Sequence, residues 1–332
     1  MRTLGQSDLQ VQPIIFGAWA IGGWFWGGTD DDNAIDAIRA SLDHGIMAID
    51  TAPMYGYGHS EEVVGRAIRG RRDQAIVMTK CGLRWDDERG ATFFDTDGPD
   101  GRSRTIKRNL RPDSIRRECE ASLKRLGVDT IDLYQCHWPD PTTPVEESMQ
   151  ELGRLVEEGK VRAIGVSNFT PELMTRAREA LGSIPLASNQ PRYSLLTRGI
   201  EDEVLPWCRE HEVGVVVYSP MERGLLSGAI TEDRTFPETD GRSGDPLFRV
   251  ENRRVILEAL RTLDPIARAH DATFAQLAVA WCTHQPGITA ALVGARTAAQ
   301  ASENARGARL SLSDEDLVQL RSCFEKVDIQ RR

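Results

Sequence analysis

Four side chains in the first half of the chain could together move a proton: Asp50, Tyr55, Lys80 and His137. Asp50, Lys80 and His137 each follow a short apolar run, at residues 45–49, 75–79 and 131–136, and Tyr55 lies in the turn-rich stretch 51–58. Free tyrosine and lysine both titrate near pH ~10. An ammonium held beside the phenol would stabilise the phenolate and lower its pKa. Asp50 would keep Lys80 charged and oriented, and a phenol tuned in this way can protonate an oxygen that is gaining negative charge. His137 could hydrogen-bond the same oxygen and share that charge. The set suits reduction of a carbonyl to an alcohol but contains no reductant, so it implies a hydride-carrying cofactor.

Such a set needs elements that end at one place. Candidate strands lie at 14–17, 47–50, 76–80, 131–137, 163–167, 186–190, 214–218 and 290–293. Most are rich in Ile, Val or Ala and bounded by turn residues, as strands buried on both faces should be. Helical patterns fall between them at 32–44, 60–69, 114–126, 145–158, 171–180, 201–211 and 274–282, with further helices at 253–270 and 313–324. Thr170 before Pro171 reads as an N-cap, and Gly45 and Gly159 read as helix ends. The alternation predicts an α/β fold, a (β/α)8 TIM barrel in a single domain over residues 1–332. Residues 2–5 and 9–13 would form a short N-terminal β-hairpin plugging its lower end. A doubly wound open sheet is the runner-up, but residues 17–23 lack the G-x-G-x-x-G spacing it expects.

Long connections at 82–110 and 222–250 interrupt the alternation and would form binding loops at the carboxyl-terminal face of the barrel. The candidate strand ends there read Asp50, Lys80, His137, Ser167-Asn168, Gln190, Tyr218-Ser219 and Gly294. Any one of these is explained as well by a strand meeting solvent. The whole series reads as a functional face.

Composition narrows the partners. The chain has 332 residues, 40% hydrophobic and 27% charged, with a formal charge of -9, which disfavours nucleic acid or an anionic membrane as partner. Six scattered cysteines without a C-x-x-C pair argue for reduced thiols and against a metal site. With no signal-like start and no membrane-spanning apolar run, the expected location is cytoplasmic. No oligomeric state is read from the sequence.

Three motifs then carry a family resemblance. Asp50-Thr-Ala-x-x-Tyr55-Gly56 with Ser60-Glu61, Leu126-Gly-Val-Asp-x-Ile-Asp-Leu133 leading to His137, and Gly159-Lys-Val-Arg-Ala-Ile-Gly-Val-Ser-Asn-Phe169 stand in order along the chain. The sequence resembles the aldo-keto reductase superfamily over about residues 4–324, closest to its bacterial branch related to potassium-channel β subunits. The resemblance implies a (β/α)8 barrel reducing aldehydes and ketones with NADP(H) and no metal. It implies Tyr55 as proton donor, Lys80 and Asp50 as its tuning pair, and His137 as the group orienting the carbonyl.

It further implies that Ser167, Asn168 and Gln190 bind the nicotinamide carboxamide and that Tyr218 stacks on the ring. Ser219, Pro220, Gly224, Leu225, Ser227 and Gly228 would fold over the pyrophosphate, and Gly17 and Trp19 are further cofactor-binding candidates. The far end of the cofactor would meet Gly294, Arg296, Gln300, Glu303 and Asn304. Here the sequence departs from many members: Gly294 stands in place of a lysine and Gln300 in place of an arginine. Arg296 remains to pair with a 2′-phosphate, which favours NADP over NAD.

Trp19, Trp24, Trp26, Tyr57, Trp85 and Trp138 fall in loops at the predicted mouth, and Trp24, Tyr57 and Trp138 are the candidate substrate contacts. Such walls suit apolar ketones, aromatic aldehydes and sugars. Two rival readings are an NADP(H)-sensing accessory subunit with vestigial turnover and a lyase using Lys80 as a Schiff base. The complete tetrad speaks against the first, and the cofactor segments against the second.

Overall fold

In the computed structural model, which describes residues 1–98 and 100–330, eight parallel strands close into a barrel in chain order. They are Ile14–Gly17, Ala48–Asp50, Ile76–Cys81, Ile131–Cys136, Val161–Ser167, Leu186–Gln190, Gly214–Val217 and Ala290–Gly294. Closure comes from pairing the last strand with the first, Ala291 with Ile14 through Gly294 with Gly17. That pairing leaves no open edge and sets the doubly wound alternative aside.

Side-chain alternation divides each strand between two environments. Outward positions such as Phe16, Val77, Tyr134 and Val166 join the large cluster beneath the helices. Inward positions such as Ile15, Met78, Leu133 and Val216 fill the barrel, together with Leu4 and Leu9. The latter two flank the turn of the hairpin Arg2–Thr3/Gln10–Val11 and are 0% and 1% exposed, so the hairpin plugs the lower end as expected.

Helices follow the strands closely where caps are strong. Thr170 accepts the Leu173 amide and Pro171 opens the helix Pro171–Leu181. Elsewhere the structure corrects the expectation. Residues 253–270 form two helices, Val250–Thr262 and Asp264–Ala269, because Pro265 lacks an amide proton and starts a new first turn. The helix expected over 201–211 is shorter, Val204–Glu210. Ala298–Gly307, read from the sequence only as a cofactor-binding segment, is a helix capped by Thr297. Its alanines and polar residues carry little apolar periodicity, so the sequence pattern does not mark it as a helix.

The connection 82–110 is not an irregular loop. It holds a three-stranded antiparallel sheet, with Ser103–Arg108 between Leu83–Arg84 and Ala91–Asp97. Residues 222–250 stay mostly irregular, with short 3-10 turns at Glu222–Ser227 and Pro246–Phe248.

Candidate active site

Lys80 sits inside the upper barrel, 0% exposed, and all three of its ammonium hydrogens are used. It donates to Asp50 Oδ1 at 2.5 Å, to the Thr51 carbonyl at 2.9 Å and to Tyr55 Oη at 3.2 Å. The other oxygen of Asp50, Oδ2, accepts from Gln135 Nε2 at 3.1 Å and Gln190 Nε2 at 2.9 Å. Strand alternation explains the convergence, because Asp50, Lys80 and Gln135 stand two residues above the inward-facing Ala48, Met78 and Leu133. Gln135 was not singled out in the sequence. Its signal was there in the two-residue spacing from Leu133 to Gln135 to His137.

The His137 ring meets Tyr55 edge to face, with centroids 5.8 Å apart. Burial, and then the Lys80 charge, hold the imidazole well below its ordinary pKa, so it is neutral near pH 7. Burial alone would push Lys80 down, but Asp50, the Tyr55 phenolate and the hydrogen bonds to both outweigh it and raise the ammonium above its usual value. For Tyr55 the sequence expectation of a lowered pKa is overturned. Lys80 does pull it down, but burial pushes the phenol up by more, aided by Asp50, and the net shift is upward.

At the next strand ends, Ser167 Oγ donates to the Gln190 carbonyl at 2.7 Å, and Asn168 Nδ2 donates to the His137 carbonyl at 3.2 Å. Tyr218 Oη donates to Asn168 Oδ1 at 3.0 Å, and burial pushes its phenol up to about 12. Both Gln190 amide hydrogens are spent, on Asp50 and on Gln135 Oε1, whereas no protein donor reaches Gln190 Oε1 among the described residues. Asn168 and Ser219 adopt positive φ, 61° and 58°, a conformation that Asn tolerates and Ser rarely takes, at the rim of the site. Past Ser219, the buried Glu222 accepts from Ser194 and Thr197 and pairs with Arg192, tying the segment to the preceding loop. Leu225 and Pro220 are buried, so Leu225 can offer a ligand only its backbone.

Gly17 and Gly294 face each other on the paired first and last strands. A Cβ on Gly294 would lie 3.4 Å from the Gly17 carbonyl, so the two glycines leave a side-chain-free floor. Beyond it, Arg296 is exposed and donates to the Trp26 and Gly28 carbonyls at 3.4 and 2.6 Å. Gln300 caps the Arg296 amide at 2.8 Å and Asn304 reaches the Gly294 carbonyl at 3.1 Å. Glu303 accepts from Thr273, and Ser227 donates to the Gly224 carbonyl. This glycine floor, the open acceptor on Gln190 and the basic group at the far end fit an extended dinucleotide.

The candidate substrate residues gather in one aromatic cluster with Tyr55. Trp24 meets Tyr57 at 5.7 Å and Tyr57 meets Trp85 at 5.0 Å, both edge to face. Trp19 contacts Trp26 at 5.4 Å and Tyr55 at 6.2 Å. The sheet inserted at 82–110 contributes Phe94, stacked on Trp24 at 6.3 Å, and Phe93, tilted against Trp138 at 5.1 Å. A register shift between Thr92 and Phe94 lets two consecutive phenylalanines join the cluster, where an unbroken strand would send them to opposite faces.

The Aldo/keto reductase family model matches residues 13–325. The chain belongs to that family. This aldo/keto reductase is 38% identical to an NADH-specific methylglyoxal reductase of Escherichia coli, over 98% of each chain. It is 31% identical to a probable voltage-gated potassium channel subunit beta of Arabidopsis thaliana, over 91% of this chain and 89% of that one. Among solved structures, a glycerol dehydrogenase from Gluconobacter oxydans superposes with a TM-score of 0.87 at 41% identity, covering 99% of this chain and 96% of that one. The relatives support an oxidoreductase acting between carbonyls and alcohols with a nicotinamide cofactor. Among the described residues, no helix is long and apolar enough to cross a membrane, and no group of His, Cys, Asp and Glu is placed to hold a metal.

Proposed function

We propose that this aldo/keto reductase, acting as one barrel domain, reduces an aldehyde or ketone to the alcohol with NADPH. The observation that carries the reading is the Asp50–Lys80–Tyr55 chain of hydrogen bonds opening into an aromatic enclosure beside a neutral His137. A reduced nicotinamide, when bound, supplies hydride to the carbonyl carbon. As the C=O electron pair moves to oxygen, Tyr55 gives that oxygen its phenolic proton. Lys80, held by Asp50, stabilises the phenolate left behind, and the neutral His137 ring donates a hydrogen bond that orients the carbonyl.

Ser167, Asn168, Gln190 and Tyr218 would hold the nicotinamide, and the segment from Ser219 to Gly228 would cover the pyrophosphate. Gly17, Trp19, Gly294, Gln300, Glu303 and Asn304 would line the rest, with Arg296 pairing a 2′-phosphate. Trp24, Tyr57 and Trp138 would contact aromatic or sugar-derived substrates. NADH is the second reading, favoured because Arg296 already serves two carbonyls and because the Escherichia coli relative is NADH-specific.

The test is a panel of carbonyls assayed with NADPH and NADH, in the native protein and in Tyr55→Phe. The variant should lose turnover by about 10²–10⁴-fold while binding cofactor within about threefold of the native protein, read by fluorescence titration. Retained turnover would remove Tyr55 as proton donor. Tight cofactor binding without turnover of any carbonyl by the native protein would support the accessory-subunit reading.

A further inference from the structure

Among the described residues, the sheet over the site carries a guanidinium with no counter-charge. Along the strand Ser103–Arg108, the alternate residues Arg104, Ile106 and Arg108 face the aromatic cluster. Arg104 lies over the Tyr57 ring at 5.2 Å and Arg108 over the Phe93 ring at 5.2 Å. Lys107, between them, bonds Thr92 on the exposed side. Arg104 is neutralised by Asp100 through two contacts of 2.6 Å. Arg108 makes no ion pair or side-chain hydrogen bond among the described residues, and its Nε is sealed from solvent without a partner. Arg84, Arg192 and Arg253 also bury an unpartnered Nε, but each spends another nitrogen on a carboxylate or carbonyl.

The position of Arg108 matters as much as its isolation. In register it faces Leu83, three residues past Lys80, which bounds that Cα separation at about 11 Å. The Phe93 ring beneath it packs at 5.1 Å on Trp138, the neighbour of His137. A half-buried guanidinium without an anion is costly. With its face on a ring and its Nε enclosed, its two terminal nitrogens, which have no protein partner among the described residues, are left to grip an oxyanion in bidentate fashion.

We propose that Arg108 receives a carboxylate borne by the carbonyl substrate, so that the preferred substrates carry an acid group a few carbons from the reacting C=O. The proposal rests on the reductase reading above. A single unneutralised guanidinium matches a carboxylate's one charge. A phosphate dianion would call for a second free cation, and the neighbouring Arg104 and Arg84 are already paired.

The test compares kcat/KM for 4-oxobutanoate, butanal and glycolaldehyde phosphate in the native protein, Arg108→Met, Arg108→Lys and the outward-facing control Lys107→Met. The native protein should prefer 4-oxobutanoate over butanal by about tenfold or more. Arg108→Met should lose about tenfold on 4-oxobutanoate through KM and stay within about threefold on butanal, while Arg108→Lys recovers part of the loss and Lys107→Met changes neither. Butanal thus reports that each variant is folded and that the reductase reading holds. If butanal is reduced but the acid is not preferred, or if Arg108→Met slows both aldehydes alike, the proposal is overturned. Preference for the phosphate ester overturns the carboxylate assignment. If no aldehyde is reduced, the reductase reading fails. Calorimetric binding of succinate to the full chain then decides the site: loss in Arg108→Met supports it, and equal binding overturns it.

Discussion

An ammonium removed from water must have its charge answered where it stands, and Asp50 does this for Lys80 at the floor of the site. Gln135 and Gln190 fix Asp50 in turn, so the Asp50–Lys80 pair is held in place beside Tyr55. For Tyr55 the sequence supplies a cation, Lys80, that folding brings beside the phenol, but burial sets the cost of the phenolate and outweighs it. Because that phenol is held above its usual value of about 10, the alkaline fall in reduction rate should lie above pH ~10. His137 supplies a second pH effect of defined sign. Its folded pKa is depressed, so its contribution to stability is full above the unfolded value of about 6.5 and is lost as pH falls from there towards the lower folded value. Unfolding free energy should therefore drop more between pH 7 and 5 in the native protein than in His137→Asn, measured by urea titration. Parallel drops would show that the ring is not held neutral by the fold.

At the scale of elements, the inserted sheet supplies Phe93 and Phe94 to the aromatic cluster around Tyr55. Its strands read as short half-exposed alternations, residues 91–97 and 103–108, hidden in the sequence among Gly, Asp and Arg that signal turns. The sheet is anchored near Gly90, whose φ is 94° and where a Cβ would lie 2.1 Å from the Arg108 carbonyl. Gly90→Ala should therefore displace the Phe93 and Phe94 wall and raise KM for an aromatic aldehyde by about tenfold, or ~1.4 kcal/mol, with cofactor affinity unchanged. An unchanged KM would show that the aromatic wall does not meet the substrate. The helix Ala298–Gly307 shows the converse case, where a strong cap at Thr297 outweighs a weak apolar stripe.

Across the whole molecule, the barrel separates stability from chemistry: Leu4 and Leu9 close one end, and the polar strand ends occupy the other. Leu4→Ala should cost about 2–5 kcal/mol in denaturant unfolding, as other buried leucine truncations do, with kcat/KM unaltered. A fall in kcat/KM would mean that the two ends are mechanically coupled. The eight strands, the hairpin and the tetrad were legible because each follows from local pattern: an apolar run, a turn and a polar residue at its end. Alternation with a period of two then determined which residues point inward once a strand was recognised, and so brought Asp50, Lys80 and His137 to one mouth. What the linear pattern could not supply were quantities set by neighbours distant in sequence. The upward shift of Tyr55, the capture of Asp50 by Gln135 and Gln190, the bulge that brings Phe93 and Phe94 together, and the isolation of Arg108 were decided by tertiary structure alone. Burial, partner geometry and the absence of a counter-charge exist only after the chain has closed on itself.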